Sequence, residues 1–134
     1  MYAKYITTLV LSIWVGVLVS GCATAPKPNP DALQSADYGP PPGNPERQIK
    51  LAILGTLKDP ESARIDFDPP AKAYFRKDLY QPLQYGWRVR VWVNEKNSLG
   101  DYTGARPRWF YFREDHIEFV ETADMVPAKE WATH

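Results

Sequence analysis

Carboxylates, histidines and one thiol are the groups in this chain whose types and spacing could do chemistry. Asp66 and Asp68 stand two apart in Arg64-Ile65-Asp66-Phe67-Asp68. On a strand they would share a face, and with Glu61 nearby such a pair could serve as general acid and base. No nucleophile with a base can be placed beside them, so solvated carboxylates at a loop edge are the plainer expectation. His116 and His134 are the only histidines, one on an expected strand and one at the terminus, which makes no dependable metal cluster. Gly-x-Ser-x-Gly, a phosphate-binding glycine loop and His-Glu-x-x-His do not occur. These residues point to a chain that is not an enzyme and needs no cofactor or metal.

The thiol is the stronger signal. Cys22 is the only cysteine, and it directly follows an apolar run from Ile6 to Val19, itself preceded by the amino terminus and Lys4. A short basic start, an apolar run and small residues at its end are the parts of an export signal. The run of about 14 residues falls short of the roughly 20 that span a bilayer, which weighs against an uncleaved membrane anchor. An ordinary cleaved signal with a spare cysteine is the other alternative. Val19-Ser20-Gly21-Cys22 resembles the lipobox of bacterial lipoproteins. The resemblance implies a diacylglyceryl thioether on Cys22, cleavage before it and acylation (palmitate or a similar chain) of the new amine. Two or three acyl chains, at about 0.8 kcal/mol per buried CH2, anchor far more firmly than one. Ala23 stands where, by resemblance to enterobacterial sorting, an aspartate would hold the protein at the inner membrane, so the outer membrane facing the periplasm is expected.

Composition bounds the chain beyond the signal. In 134 residues there is room for one small domain and a tether. The 16 basic and 16 acidic residues balance, so no net field would draw in nucleic acid. With its one cysteine lipidated, the chain has no thiol for a disulfide. Residues 1–21 read as signal, 22–44 as a lipid-anchored Pro-rich tether and 45–134 as the domain. The tether carries Pro26, Pro28, Pro30 and Pro40-Pro41-Pro42, so part polyproline II and part coil is expected, reaching about 70 Å if extended at about 3.1 Å per residue. Within it, Asp31 to Asp37 has the makings of a passing helical turn with too few apolar residues to dock.

Asn44-Pro45-Glu46 is a helix start: a capping amide, proline in the first turn and an acid beside it. Ile49, Ala52, Ile53 and Leu57 recur on one face, so the helix is expected to run to about Leu57, ended by Asp59-Pro60. Short strands are expected at Arg64 to Phe67 and Ala71 to Phe75. The clearest strand is Tyr85 to Asn94, where Tyr85, Trp87, Val89, Val91 and Val93 alternate with Arg88, Arg90, Trp92 and Asn94. Arg108 to Arg113 and His116 to Glu121 come next, joined through Glu114-Asp115. The layout predicts an α+β domain with one N-terminal helix packed on a mainly antiparallel sheet of three to five strands.

If Val89, Val91, Val93, Phe110, Phe112, Ile117 and Phe119 face the helix, then Arg88, Arg90, Trp92, Trp109, Tyr111, Arg113, His116 and Glu118 face away. A one-residue bulge would exchange the sets. Arg88, Arg90, Trp92, Trp109, Tyr111 and Arg113 thus form a candidate surface for a protein partner or for stacking on sugar rings. The competing expectation is burial of that face by the tail around Trp131 or by the segment from Ala71 to Tyr80.

Leu57-Lys58-Asp59-Pro60-Glu61-Ser62-Ala63 and Val93-Asn94-Glu95-Lys96-Asn97-Ser98-Leu99-Gly100-Asp101-Tyr102-Thr103-Gly104 together resemble a recurrent pattern, LKDPxSA then VNxKNxxGxYxG, of small uncharacterised bacterial exported proteins and lipoproteins. The resemblance implies no activity and names no catalytic residue; Asp101 departs from it, standing where a glycine is expected. By their chemistry Asn97, Gly100, Asp101 and Gly104 make a structured turn, since the glycines can take positive φ and Asn and Asp bond nearby backbone. A cation loop is the sharper alternative, but the spacing matches no EF-hand. The expectation as a whole is an outer-membrane lipoprotein anchored to membrane lipid through Cys22. Its module would bind without catalysis and contact an envelope protein assembly, with peptidoglycan or another saccharide as the alternative partner and no role for nucleic acid.

Overall fold

The computed structural model describes residues 26–126; the segment expected to be an export signal, Cys22, Trp131 and His134 lie outside them. Among the described residues, two short helices and a five-stranded antiparallel sheet make an α+β fold. Helix α1 (Pro30–Ser35) is capped by Asn29, whose side chain accepts from the Ala32 amide, and it buries no residue. Helix α2 (Pro45–Leu54) begins as its residue types dictate, with the Asn44 side chain accepting from the Arg47 amide at 3.2 Å. It stops at Leu54, short of Leu57, because the chain tightens at Gly55 and both the amide and the hydroxyl of Thr56 bond back to the Ile53 carbonyl.

The sheet is built round β3 (Gln84–Asn94), whose alternating sequence buries Val89, Val91 and Val93. One flank of β3 is shared end to end by two short strands. β1 (Arg64–Phe67) pairs with Val91 to Asn94, and β2 (Ala71–Phe75) with Gln84 to Arg88. Asp68 continues the ladder by one bond to the Arg90 carbonyl, and Pro69-Pro70 then interrupt it, since a proline has no amide to donate. The other flank carries β4 (Arg106–Arg113) and then β5 (His116–Thr122). Pro107 is tolerated inside β4 because the pairing with β5 begins one residue later, at Arg108 opposite Thr122.

Ile49 and Ile53 of α2, with Leu57 beyond its end, pack on Val89, Val91, Val93, Phe110 and Phe112. That layer is the main core, and truncating a residue such as Ile53 to alanine would cost about 2–5 kcal/mol. The opposite sheet face holds a second cluster of Phe75, Trp109 and Tyr111, flanked by Ala73, Phe119 and Val126. Phe119 is a correction to the expected register. A bulge between Tyr111 and Phe112 pairs Phe112 with Ile117 but Tyr111 with Phe119, leaving Glu118 as the extra residue. Ile117 and Val120 therefore pack against the helix layer, and Phe119 joins the opposite one.

Strand β3 gives the molecule two poles, about 33 Å apart at roughly 3.3 Å per residue. At one pole lie the start of β3, the β2–β3 loop and the Glu114-Asp115 turn; at the other lie the loop after Asn94 and the turn that leads from Leu57 into β1.

Candidate functional site

Three places collect the residues that the sequence singles out: the face away from α2 and the two poles. On that face the expected exposed aromatic platform is closed. Trp109 and Tyr111 are only 7% and 6% exposed. Phe75 is the lid. Its ring lies 5.1 Å from that of Tyr111 and stacks with Phe119 at 6.5 Å, while Tyr111 and Phe119 are 5.7 Å apart. Next to the lid, Gly86 is required by the neighbouring backbone, since a Cβ there would stand 2.2 Å from the Phe112 carbonyl oxygen, while the Phe75 ring at 3.4 Å would be in ordinary contact. The Tyr111 hydroxyl donates to Glu121 at 2.9 Å. Burial, then the Glu121 charge, pushes the phenol far above its ordinary range, with Arg88 opposing.

The remaining members of the candidate surface are dispersed. Arg90 pairs with Asp68 and lays its guanidinium 5.1 Å over the half-buried Trp92 ring. Arg113 donates to the Tyr85 carbonyl at 2.8 Å, and Arg88 is exposed. The ion pair with Arg90 also separates Asp68 in role from Asp66, which is exposed opposite Trp92.

At the far pole the two quoted motifs form one unit. Asn97 Oδ1 accepts from the amides of Leu99 and Asp101 at 2.9 and 3.0 Å, and the Asn97 amide donates to the Asp101 carbonyl. Gly100 and Gly104 take φ of 88° and 99°. Asp101 is not among the positive-φ residues, so glycine's freedom is not needed where the motif departs from its pattern. The Gly104 amide donates to Asn94 Oδ1, and Thr103 bonds the Glu95 carbonyl through both amide and hydroxyl. Tyr102 ties this loop to the Leu57–Ala63 segment, its hydroxyl donating to the Ser62 carbonyl at 2.9 Å. Arg64 and Lys96 stand 4.1 and 5.3 Å from the Tyr102 ring centre. Ser62 beside Asp59 holds that exposed carboxyl below the usual carboxylate range. Sequence reasoning misses the Tyr102 link, whose one signal is a tyrosine alone in a polar turn.

The near pole holds a further correction. The Pro-rich segment does not stay free up to Asn44. Tyr38 is buried edge-on against Tyr85 with ring centres 5.7 Å apart, and the Lys72 ammonium stands 5.0 Å from the Tyr38 ring centre. The Trp87 indole donates to the Gly39 carbonyl at 3.0 Å, and Asp115 accepts from the Gly43 amide and the Gln48 side chain. Tyr38 against Tyr85 and the Gly39 carbonyl on Trp87 are what dock residues 38–43 on β3. Beside them Asp37, Tyr85, Arg113, His116 and Glu118 line an open cleft of about 640 Å³.

Among the described residues no group of three or more His, Cys, Asp or Glu could hold a metal ion, and no helix is long and apolar enough to cross a membrane. Compared with protein-family models, curated proteins and solved structures, the chain matches none.

Proposed function

We propose that this chain is a bacterial lipoprotein, anchored through an acylated Cys22 in the outer membrane and facing the periplasm, whose domain is a non-catalytic module for an envelope protein partner. The observation that carries the reading is the placement of the only thiol directly after Val19-Ser20-Gly21 and an apolar run. Ala23 after the cysteine favours the outer membrane. The non-catalytic part draws support from how polar groups are used: Asn94, Asn97, Tyr111, Arg113 and Asp68 are all engaged in internal bonds.

A braced loop with an apolar tip suits protein contact, and Leu99, 84% exposed at the far pole, is such a tip. The α2 helix backing the sheet would keep that pole rigid relative to the tether. The saccharide alternative loses support, because Trp109 and Tyr111 are buried.

The test is intact mass and membrane fractionation of wild type beside Cys22→Ala, followed by crosslinking in intact envelopes. Wild type is expected to begin at acylated Cys22, to sediment with outer membrane and to crosslink to a defined protein, while the variant keeps its leader. A soluble protein with a free Cys22 thiol overturns the anchor, and sedimentation with purified sacculi in place of a protein crosslink overturns the partner class.

A further inference from the structure

The apolar side chains exposed at the near pole mark a surface whose occupant is set by where the tether joins the domain. The loop between β2 and β3 presents Leu79 at 59% and Tyr80 at 97% exposure. This loop is ordered by its own bonds, with Asp78 Oδ1 accepting from the amides of Tyr80 and Gln81 at 2.8 and 3.0 Å. Its two ends are tied to the cleft, Lys77 by an ion pair to Glu118 and Leu83 as part of the lining. Ala36 and Asp37, the last residues before the docked Tyr38, line the same cleft. The tether therefore enters the domain at the pole from which Leu79 and Tyr80 project, about 33 Å from the Leu99 loop.

We propose that Leu79 and Tyr80 insert into the lipid headgroup region, so that this pole rests on the membrane and the Leu99 pole points away from it. The inference rests on the lipid-anchor reading above. A leucine beside a tyrosine suits the interface, where an apolar body enters the acyl boundary and a hydroxyl stays among headgroups. Charge does not drive the contact, since Arg76 and Lys77 are balanced locally by Asp78 and Glu118. Two side chains alone would bind weakly, but the tether makes the contact intramolecular. From Cys22 to Tyr38 the reach is at most about 50 Å at about 3.1 Å per residue, which keeps the loop at high effective concentration near the bilayer.

The experiment uses full-length lipidated protein in vesicles of phosphatidylethanolamine and phosphatidylglycerol. With Cys22 acylated, Tyr80→Cys supplies a single thiol for an environment-sensitive fluorophore, and Leu99→Cys supplies its counterpart at the far pole. Quenching by headgroup-region nitroxide lipids is expected to be about twofold stronger at position 80 than at 99, as for a side chain about 5–10 Å into the interface. Adding Leu79→Asp to the position-80 variant should abolish the difference. Equal, aqueous spectra at both positions in protein that floats with the vesicles and carries an acylated Cys22 overturn this inference alone. Protein without acylation that does not float overturns the anchor and the inference with it. A position-80 label shielded in whole envelopes but aqueous on pure lipid means that a protein covers the loop, which overturns the lipid assignment.

Discussion

Tyr111 concentrates the consequences of closing the second sheet face. Its phenol is buried between Phe75 and Phe119 and donates to Glu121, so the neutral form is the one that the fold accepts. In the unfolded chain the same group ionises at about pH 10. The folded pKa lies above the unfolded one, so the stability linked to Tyr111 is complete below about pH 10 and falls as the pH rises from there towards the folded value. Tyr111→Phe removes the titrating group together with one hydrogen bond. At neutral pH the variant should lose about 0.5–1.5 kcal/mol, and its denaturation midpoint should then decline less steeply than that of wild type between pH 9.5 and about 11. Denaturant unfolding across that range checks both, and parallel alkaline slopes would show that Tyr111 is more accessible than its surroundings indicate.

Among the elements, those whose signals are local are legible in the sequence and those that depend on a distant partner are not. The start of α2 can be read from Asn44-Pro45-Glu46, and β3 from its strict alternation, because each is written within a few residues. The register of β5 cannot, since Ile117-Glu118-Phe119-Val120 fits either face until the bulge opposite Tyr111 and Phe112 decides it. The aromatic face is legible only as a pair of alternatives. Trp109 and Tyr111 alternate as an exposed surface would, and the cover that closes them comes from Phe75, inside the Ala71 to Tyr80 segment named as the competing expectation, and from Val126 beyond β5. The Asn97 turn is legible because its bonds run within the motif itself. The β4–β5 turn offers a test at this scale. Glu114 and Asp115 take φ of 49° and 63°, the two-residue hairpin geometry that Asn and Gly favour. Glu114 makes no use of that conformation, so Glu114→Asn should stabilise by about 0.5–1 kcal/mol. Asp115→Gly relieves the same strain but removes the acceptor for Gly43 and Gln48, and a net loss of about 1 kcal/mol is expected. Thermal melts of the two variants should shift in opposite directions, and a gain for both would mean that the Asp115 bonds contribute little to docking the segment before α2.

The whole molecule is organised by where the Pro-rich segment begins to pack on the sheet. The sequence reading places that boundary at Asn44, since a run with Pro40-Pro41-Pro42 has no apolar period to reveal packing. The contacts of Tyr38, Gly39 and Gly43 with Tyr85, Trp87 and Asp115 place it before Tyr38. Two consequences separate on either side of that point. Residues 27–36 include α1, which buries nothing, so replacing them with a Gly-Ser segment of equal length should leave the thermal midpoint within about 1 °C, because surface changes rarely exceed about 0.5 kcal/mol. Tyr38→Ala removes a buried ring from between Tyr85 and Lys72 and loosens the chain that brings Gly39 to Trp87. That should cost about 2–4 kcal/mol, the burial of one large side chain plus a hydrogen bond. If the linker exchange destabilises as much as Tyr38→Ala, the folded unit begins before Pro30. If neither does, residues 38–43 contribute nothing to stability and the tether runs to the helix cap. With the boundary where the contacts put it, the proposed anchor at Cys22 would hold the near pole close to the membrane and leave the braced Tyr102 loop at the end of the molecule farthest from it.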